Sequence, residues 1–412
     1  MSVQKAYWKD ICGAGTGELK MTLKVADRMK DFEEGIFQVL NEKKEEVEKS
    51  GRKVYNLSVG TPDFPTEPHV IEAVVEAAKK PANYKYALKM LPELTQAVIN
   101  RFEKRYHVTL NEREITDVYG SQEGITHIGM SLCNPGDIVL VPDPGYPVFS
   151  IGPALAMADV RTYELRPENN YLPDLKAIDE ETCKKTKFIM VSYPLNPICK
   201  LAPDSFYEEL IAWAQAHDII IVHDNAYSDI IYDGHVGKSI LQFEGAKENC
   251  VEFYSLSKSF DYTGARAGFL VGNEYLVQNF KKLRSQIDYG TFLPVQYGAI
   301  AALNGPDDGV RERCAEYQKR RDALCGGLRK IGWNIPDSEG TMFAWGKIPD
   351  GYSDDVSFVM ELLEKSGFLC TPGSSFGKLG KGYVRFALTL PAEEIEEAVA
   401  AVAKSGMIHS HK

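Results

Sequence analysis

The sequence predicts an α/β fold, in which helices flank a mostly parallel sheet. Between about residues 115 and 275, short apolar runs rich in β-branched residues alternate with helix-like segments, which is the pattern of such folds. The 412 residues are 44% hydrophobic and 25% charged, an ordinary globular composition with enough length for one large core and a smaller one. We therefore expect two domains.

Helical periodicity marks both ends of the chain. A helix is predicted over residues 32–49, and its apolar face carries Ile36, Val39, Leu40 and Val47. Two further helices are predicted beyond residue 300, because apolar side chains recur there at helical spacing. The apolar positions of the first are Val310, Cys314, Tyr317, Leu324 and Leu328, and those of the second are Ile395, Val399 and Val402. These segments should frame the second domain.

Four predicted strands each end in a polar turn. The strands cover residues 137–141, 188–191, 219–222 and 251–254. The turns after them begin at Pro142, Ser192, His223 and Ser255. In open α/β sheets the ligand crevice lies beyond the carboxyl ends of the strands, so these four turns should converge on one site.

Two more strands are predicted over residues 340–345 and 382–388, and the second places Arg385 inside an apolar run. A buried arginine without a partner would be costly. Arg385 therefore predicts an anionic partner, which is either a bound substrate or a structural carboxylate.

Charge and cysteine usage exclude several classes of function. The net charge of −11 and the pI near 5.4 disfavour a nucleic-acid or anionic-membrane partner, since an acidic surface repels both. The eight cysteines are scattered without metal-ligand spacing, which predicts reduced thiols and no metal site. No apolar run suits a signal peptide or a membrane span, so we expect a cytoplasmic protein that binds small molecules.

Six separate motifs together resemble those of class I and II aminotransferases. In chain order they are Gly120-Ser121-Gln122-Glu123-Gly124, Pro144-Gly145-Tyr146-Pro147, Tyr193-Pro194-Leu195-Asn196-Pro197, Asp224-Asn225-Ala226-Tyr227, Ser255-Leu256-Ser257-Lys258-Ser259-Phe260 and Arg385. The resemblance covers roughly residues 30–405 and is strongest to bacterial enzymes of the aspartate, alanine and LL-diaminopimelate aminotransferase type. It implies a pyridoxal 5'-phosphate (PLP) cofactor and two half-reactions that move the amino group of an L-amino acid to a 2-oxo acid, with 2-oxoglutarate as the default acceptor.

The resemblance also implies fold type I of the PLP enzymes. In that fold a large domain with a mostly parallel central sheet binds the cofactor, and a smaller α+β domain is built from both chain ends. We expect the large domain at residues 66–300, the small domain at 31–65 and 301–412, and an N-terminal extension at 1–30.

The resemblance assigns the central catalytic roles to three residues. Lys258 forms an imine with the cofactor aldehyde, is displaced by the substrate amine and then moves a proton. Asp224 lies against the ring nitrogen of the cofactor and keeps it protonated. Tyr227, together with Asn196, donates a hydrogen bond to the phenolic oxygen of the cofactor, and Tyr146 stacks on its ring.

The remaining implied residues bind the phosphate and the substrate. The phosphate is expected to contact Ser121, Gln122, Ser255, Ser257, Arg266 and Tyr86 of the partner subunit, which makes the protein a homodimer with a shared site. Arg385 would bind the α-carboxylate of the substrate with its planar guanidinium, beside Asn196. The turn at residues 58–63 would close over the substrate, with Gly60 allowing a close backbone approach.

Several alternatives stay open at this level. A PLP-dependent carbon–sulfur β-lyase of the cystathionine β-lyase type would share the same lysine and ring contacts. Taken alone, Lys258 would be a solvated surface lysine, and Asp224 would be the N-cap of a helix that begins at Asn225. The chain also departs from the usual Thr-Gly of the family at Ile198-Cys199, and it has Gln122 where some acid-specific members carry a basic residue.

Overall fold

The computed structural model describes residues 23–31 and 36–408 of a chain that divides into two compact units. Of the first unit, residues 1–34, the described part holds a short 3-10 helix over Asp27–Asp31. The second unit, residues 35–412, holds the sheets and helices that form the candidate site. The finer division into 31–65 with 301–412 and 66–300 stays a prediction.

The described strands belong to three sheets. They are β1 (Tyr55–Asn56), β2 (Ile115–Val118), β3 (Ile138–Asp143), β4 (Asp159–Glu164), β5 (Thr186–Val191), β6 (Ile220–Asn225), β7 (Cys250–Ser255), β8 (Gly268–Gly272), β9 (Phe343–Lys347), β10 (Phe368–Leu369), β11 (Thr371–Pro372) and β12 (Tyr383–Ala387).

Helices flank these sheets and connect their strands. They are α1 (Ile36–Lys49), α2 (Pro68–Ala78), α3 (Pro92–Tyr106), α4 (Ser121–Leu132), α5 (Val148–Leu155), α6 (Glu180–Lys185), α7 (Asp204–Ala216), α8 (Ala246–Asn249), α9 (Leu256–Ser259), α10 (Glu274–Arg284), α11 (Leu293–Asn304), α12 (Asp308–Lys330), α13 (Asp355–Ser366) and α14 (Ala392–Ser405). Among the described residues, no helix combines the length and the apolar character that crossing a membrane requires.

The largest sheet has seven strands in the order β2-β8-β7-β6-β5-β3-β4. Only β8 runs antiparallel to its two neighbours, β2 and β7, while the other neighbouring pairs are parallel. The central strands β5, β6 and β7 are buried almost throughout, because helices cover both faces of a parallel sheet. The edge strand β4 is mostly exposed. This sheet confirms the predicted α/β class.

Two smaller sheets join the start of the second unit to its carboxyl-terminal part. Strands β11, β12 and β9 form an antiparallel sheet in which Arg385 pairs with Trp345 and Thr371. Strand β1 pairs in parallel with β10. The peptide of Leu57 then accepts a hydrogen bond from Ala387 and donates one to Leu369. Residues just after β1 are therefore fixed against the strand that carries Arg385.

The sequence predictions of the elements hold with small shifts at their ends. The four parallel strands appear as β3, β5, β6 and β7, while the strand expected from residue 340 begins only at Phe343. Helix α1 is described from Ile36, and residues 32–35 lie outside the described ranges. Val39 is 48% exposed whereas Leu40 and Val47 are buried, so Val39 lies at the edge of the apolar face and not at its centre. Val39 and Leu40 are adjacent and so lie about 100° apart around the helix, whereas Leu40 and Val47, seven residues apart, point in nearly the same direction.

Candidate active site

A cavity of about 650 Å³ lies at the carboxyl ends of the parallel strands. Most of the residues predicted as site residues line it: Gly60, Ser121, Gln122, Tyr146, Asn196, Asp224, Tyr227, Ser255, Ser257, Lys258, Arg266 and Arg385. Tyr86 does not line this cavity and is 76% exposed. The predicted convergence of the four strand ends is therefore present within one chain, and Tyr86 lies apart from it.

Lys258 lies on the short helix α9, directly after β7. The Ser255 hydroxyl begins that helix by accepting a hydrogen bond from the Ser257 amide at 3.2 Å. The Lys258 ammonium donates to the carbonyl of Gly60 at 2.9 Å. Burial, and then the positive charge of Arg385, lower the pKa of Lys258 to about 8. The interpretation of Lys258 as a solvated surface lysine is therefore wrong, and its amine loses a proton more readily than an ordinary lysine.

Asp224 lies near the end of β6 and is almost completely buried. Its Oδ1 has no hydrogen-bond partner. Burial raises the pKa of Asp224 to about 7, while the neighbouring His223 lowers the pKa and Glu252 raises it. Because strand β6 continues to Asn225, Asp224 does not cap a helix, and that alternative is wrong. A cation placed against this carboxylate would be strongly favoured, since it would restore the charged form.

Arg385 extends from β12 into the cavity between two aromatic rings. Its Nη1 donates to Asn196 Oδ1 at 2.9 Å, and its Nη2 donates to the Ser58 carbonyl at 3.0 Å. The guanidinium lies 4.1 Å from the ring centre of Phe343 and 4.7 Å from that of Phe376. Burial lowers the pKa of Arg385 to about 10, so it stays charged at neutral pH. Within residues 23–31 and 36–408 no carboxylate pairs with Arg385, so an anionic ligand is its expected partner.

A phosphate-sized anion could bind where helix α4 begins. Gly120, with φ of +79°, precedes Ser121, whose hydroxyl is buried without a partner. The Arg266 guanidinium is held there by the carbonyls of Tyr119 at 3.1 Å and Thr263 at 3.0 Å. A Cβ atom on Gly120 would lie 2.3 Å from Arg266 Nη2. Free helix N–H groups, a hydroxyl and a guanidinium together form an anion site.

Polar, uncharged side chains also line the cavity. The Tyr146 hydroxyl donates to Gln122 Oε1 at 3.0 Å, which joins the wall to the start of α4. Tyr227 also lines the cavity and is buried, with its ring edge-on to Phe343 at 6.0 Å. Burial raises the pKa of the Tyr227 hydroxyl well above its ordinary value, so it remains a hydrogen-bond donor.

Ile198-Cys199 stands where the family usually has Thr-Gly, and the turn after Asn196 still forms its backbone hydrogen bond. Cys199 has φ of +66°, a conformation that glycine adopts without strain, and its amide donates to the Leu195 carbonyl at 2.6 Å. The buried thiol accepts a hydrogen bond from Thr341 at 3.2 Å. The cysteine therefore fills the glycine position of the family without moving Asn196 away from Arg385.

Sequence reasoning gave no role to Ser192, Phe343 or Phe376, all of which line the cavity. The Ser192 hydroxyl donates to the Asp224 carbonyl at 2.8 Å. Ser192 is the first residue of a polar turn after a strand, and this position could have identified it from the sequence. Nothing in the sequence marked the two phenylalanines, because Phe343 stands in an apolar run that resembles ordinary core and Phe376 stands in a glycine- and serine-rich turn.

Comparison with known proteins settles the family. A family model described as aminotransferase class I and II matches residues 52–402. The chain belongs to this family. Curated relatives of this aminotransferase include the LL-diaminopimelate aminotransferases of Halothermothrix orenii, 42% identical over 91% of this chain and 96% of the relative, and of Aquifex aeolicus, 41% identical over 90% and 97%.

Solved structures agree with this membership. Substrate-bound BacF from Bacillus subtilis superposes with a TM-score of 0.90 at 33% identity, covering 95% of this chain and 100% of that one. The aspartate aminotransferase of Thermotoga maritima gives a TM-score of 0.86 at 27% identity, covering 92% and 99%. The chain is therefore a PLP-dependent aminotransferase of fold type I, and the β-lyase alternative is not favoured.

The cavity of this aminotransferase fits PLP. Three of its buried polar atoms have no protein partner, namely Asp224 Oδ1, Ser121 Oγ and Arg385 Nε. Buried polar atoms are normally paired, so these three mark positions where a ligand would supply the missing partners. A protonated ring nitrogen suits the carboxylate, a phosphate suits the hydroxyl, and a substrate carboxylate suits the guanidinium.

Replacing Gly120 by alanine tests the anion site. The variant should lose about 1 kcal/mol of unfolding free energy because φ is positive, and it should also weaken PLP binding because the new Cβ displaces Arg266. Gly136→Ala is the matched control, since Gly136 has φ of +87° with no atom within 4 Å of an added Cβ. Thermal unfolding and PLP titration of both apoenzymes check this. Equal PLP affinities in the two variants would show that Arg266 does not contact the phosphate.

Proposed function

We propose that this aminotransferase takes the amino group of LL-diaminopimelate and passes it to a 2-oxo acid, with 2-oxoglutarate as the acceptor. The relatives named above are LL-diaminopimelate aminotransferases, and they match nearly the whole chain. The observation that carries the proposed mechanism is the convergence of an amine, a carboxylate and a guanidinium, those of Lys258, Asp224 and Arg385, on one cavity.

The wall of the cavity supports a substrate with a polar far end. Thr61, Thr126 and Tyr146 contribute hydroxyl groups to it. Such groups both donate and accept hydrogen bonds, so they can solvate an ammonium as well as a carboxylate. LL-Diaminopimelate carries both charges at the end that does not react, and 2-oxoglutarate carries a carboxylate there. A neutral polar wall is compatible with both.

Cofactor binding is proposed to use the residues that the sequence analysis named. Ser121, Gln122, Ser255, Ser257 and Arg266 would hold the phosphate end. When bound, PLP supplies an electron sink for the negative charge that develops on the α-carbon of the substrate. The buried Asp224 carboxylate would hold a proton on the ring nitrogen, because its own burial makes a facing cation favourable.

The proton at the α-carbon is proposed to be taken by Lys258. Its amine has a lowered pKa, so an appreciable fraction is neutral near neutral pH and can act as a base. Gly60 accepts a hydrogen bond from Lys258 Nζ and so holds the amine on the side of the cavity where the 58–61 segment lies. The buried surroundings exclude bulk water from the proton that is moved.

The α-carboxylate of the substrate is proposed to bind Arg385. Asn196 and Ser58 hold the guanidinium from one side, and its Nε remains free to donate. Since Asn196 Oδ1 accepts from Arg385, its Nδ2 is left as a donor for the cofactor or the substrate, as is the hydroxyl of Tyr227. Arg385 thereby orients the α-carbon toward Lys258.

The direct test replaces Lys258 by alanine and follows amino transfer from LL-diaminopimelate to 2-oxoglutarate. Loss of a positioned base should lower kcat by about a thousandfold or more, and Lys330→Ala should be unchanged because Lys330 is exposed on α12. Aspartate and alanine are compared as donors by initial rates. Retained turnover in Lys258→Ala would refute the mechanism, and a higher kcat/KM for aspartate or alanine would refute the proposed donor.

The lowered pKa of Lys258 predicts how cofactor uptake depends on pH. Covalent attachment of PLP needs the neutral amine, so the uptake rate of the apoenzyme should rise with pH and level off above a midpoint near 8. Arg385 contributes to the lowering of this pKa, so Arg385→Gln should move the midpoint to higher pH. Stopped-flow absorbance of PLP mixed with apoenzyme measures the rate. A midpoint near the ordinary value for lysine, 10.5, would contradict the proposed state of the amine.

A homodimer is proposed from an exposed apolar patch. The patch consists of Tyr84, Tyr86, Leu88, Ile287, Tyr289 and Phe292, each more than two fifths exposed. Its two segments contact each other, with the ring centres of Tyr86 and Tyr289 4.8 Å apart and those of Tyr84 and Phe292 5.3 Å apart. Large exposed apolar patches mark interaction sites. A second copy would cover the patch and bring Tyr86 of the partner subunit to the phosphate.

The expected cytoplasmic location stays a prediction.

Two substitutions separate assembly from cofactor contact. Leu88→Glu should yield monomers, because it places a charge in the patch, and should weaken PLP binding as well. Tyr86→Phe should stay dimeric but lose about tenfold in PLP affinity, since one hydrogen bond to a charged group is removed. Analytical ultracentrifugation and PLP titration measure both effects. Tyr275→Ser, at an exposed tyrosine outside the patch, is the control, and a dimeric Leu88→Glu protein would place the interface elsewhere.

A further inference from the structure

Behind Asp224, on the face of the sheet away from the cavity, lies a completely buried carboxylate. Alternate residues of a strand face opposite sides, so His223 and Asn225 face away from Asp224. Glu252 on β7 pairs with His223 in the parallel register and is 0% exposed. It is not among the residues that line the cavity.

Glu252 holds strand β6 on both sides of Asp224. Its Oε2 lies 2.9 Å from His223 Nδ1, and its Oε1 accepts a hydrogen bond from Asn225 Nδ2 at 3.0 Å. Oε2 also accepts from the Ser239 hydroxyl and the Ile240 amide, both at 2.9 Å. One carboxylate thus takes four hydrogen bonds, two of them from the residues immediately before and after Asp224.

The position of Asp224 depends on its backbone, because Oδ1 of its own carboxylate has no partner. The Ser192 hydroxyl holds the Asp224 carbonyl at 2.8 Å. The two neighbouring side chains end on Glu252. An apolar residue at position 252 would take the acceptor away from His223, Ser239 and Ile240, and each unpaired buried donor is costly. Asn225 Nδ2 would keep its second bond, to the Lys238 carbonyl at 3.1 Å.

We propose that Glu252 is a positioning residue for the cofactor, which fixes the direction of the Asp224 carboxylate by holding His223 and Asn225 from the opposite face of the sheet. This inference rests on the proposed role of Asp224 against the ring nitrogen. Glu252 touches neither cofactor nor substrate and acts only through strand β6.

A double-mutant cycle on the apoenzyme tests this inference with PLP affinity as the readout. Glu252→Ala should raise the Kd for PLP about tenfold, in the range expected for a lost hydrogen bond to a charged group. In an Asp224→Asn background the same change should raise Kd less than about twofold, since the contact it positions is already weakened. Glu252→Gln should raise Kd less than Glu252→Ala does, because its amide oxygen can still accept from His223, Ser239 and Ile240 and Asn225 Nδ2 keeps its bond to the Lys238 carbonyl at 3.1 Å.

Thermal unfolding of each apoenzyme separates folding from positioning. Glu114→Gln is the matched control, because Glu114 is also a buried carboxylate that accepts a backbone hydrogen bond, and it lies beside β2 away from the cavity. It should change melting temperature without changing the Kd for PLP. Asn225→Ala, which removes one of the two flanking bonds, replaces Glu252→Ala if that variant does not fold, and it should show the same dependence on Asp224.

Two results would overturn the inference, and they are distinguishable. An equal rise in Kd in both backgrounds would show that Glu252 acts on the fold rather than on Asp224. If Asp224→Asn alone leaves the Kd and the visible spectrum of bound PLP unchanged, the proposed role of Asp224 is wrong and the positioning role falls with it.

Discussion

The site depends on charged groups that are brought together at the carboxyl edge of the seven-stranded sheet, most of them buried. Lys258, Arg266 and Arg385 share the cavity with a single carboxylate, that of Asp224. Burial penalises the charges of Lys258, Asp224 and Arg385, which is why the pKa of Lys258 is lowered and that of Asp224 is raised. An anionic cofactor and an anionic substrate would balance the excess of positive charge. The same imbalance makes the lysine amine reactive near neutral pH.

At this cavity the backbone of residues 57–60, near the start of the folded unit, contacts residues from its carboxyl-terminal part. The Ser58 carbonyl accepts from Arg385 and from the Thr371 hydroxyl, and the Gly60 carbonyl accepts from Lys258. One short segment therefore contacts both the residue proposed to bind the substrate carboxylate and the residue proposed to move the proton. A Cβ on Gly60 would lie 2.4 Å from the Phe343 ring, so only glycine permits this approach. The positions of the Arg385 guanidinium and the Lys258 amine are therefore fixed by the same segment.

Much of the site could be predicted because its residues follow strands whose pattern is strong. Asp224 and Lys258 each end or follow an apolar run in a parallel sheet, and such ends meet at one edge. Their identity as a cofactor site came from the motifs around them. Phe343, Phe376 and Glu252 could not be predicted in the same way, because their roles arise from contacts between segments far apart in the chain. The expected contact of Tyr86 cannot be seen in a single chain, because it would be made with the phosphate bound by a partner subunit.

The sequence by itself determined the fold class, the family and the residue types of the site, because hydrophobic periodicity and short motifs are local properties. Only the tertiary structure decided that Asp224 lies in a strand rather than at a helix start, that Arg385 has no carboxylate partner among the described residues, and that Cys199 takes a left-handed conformation. Burial and hydrogen-bond partners depend on elements brought together by folding. The pKa of each charged group therefore depends on packing that no local pattern records.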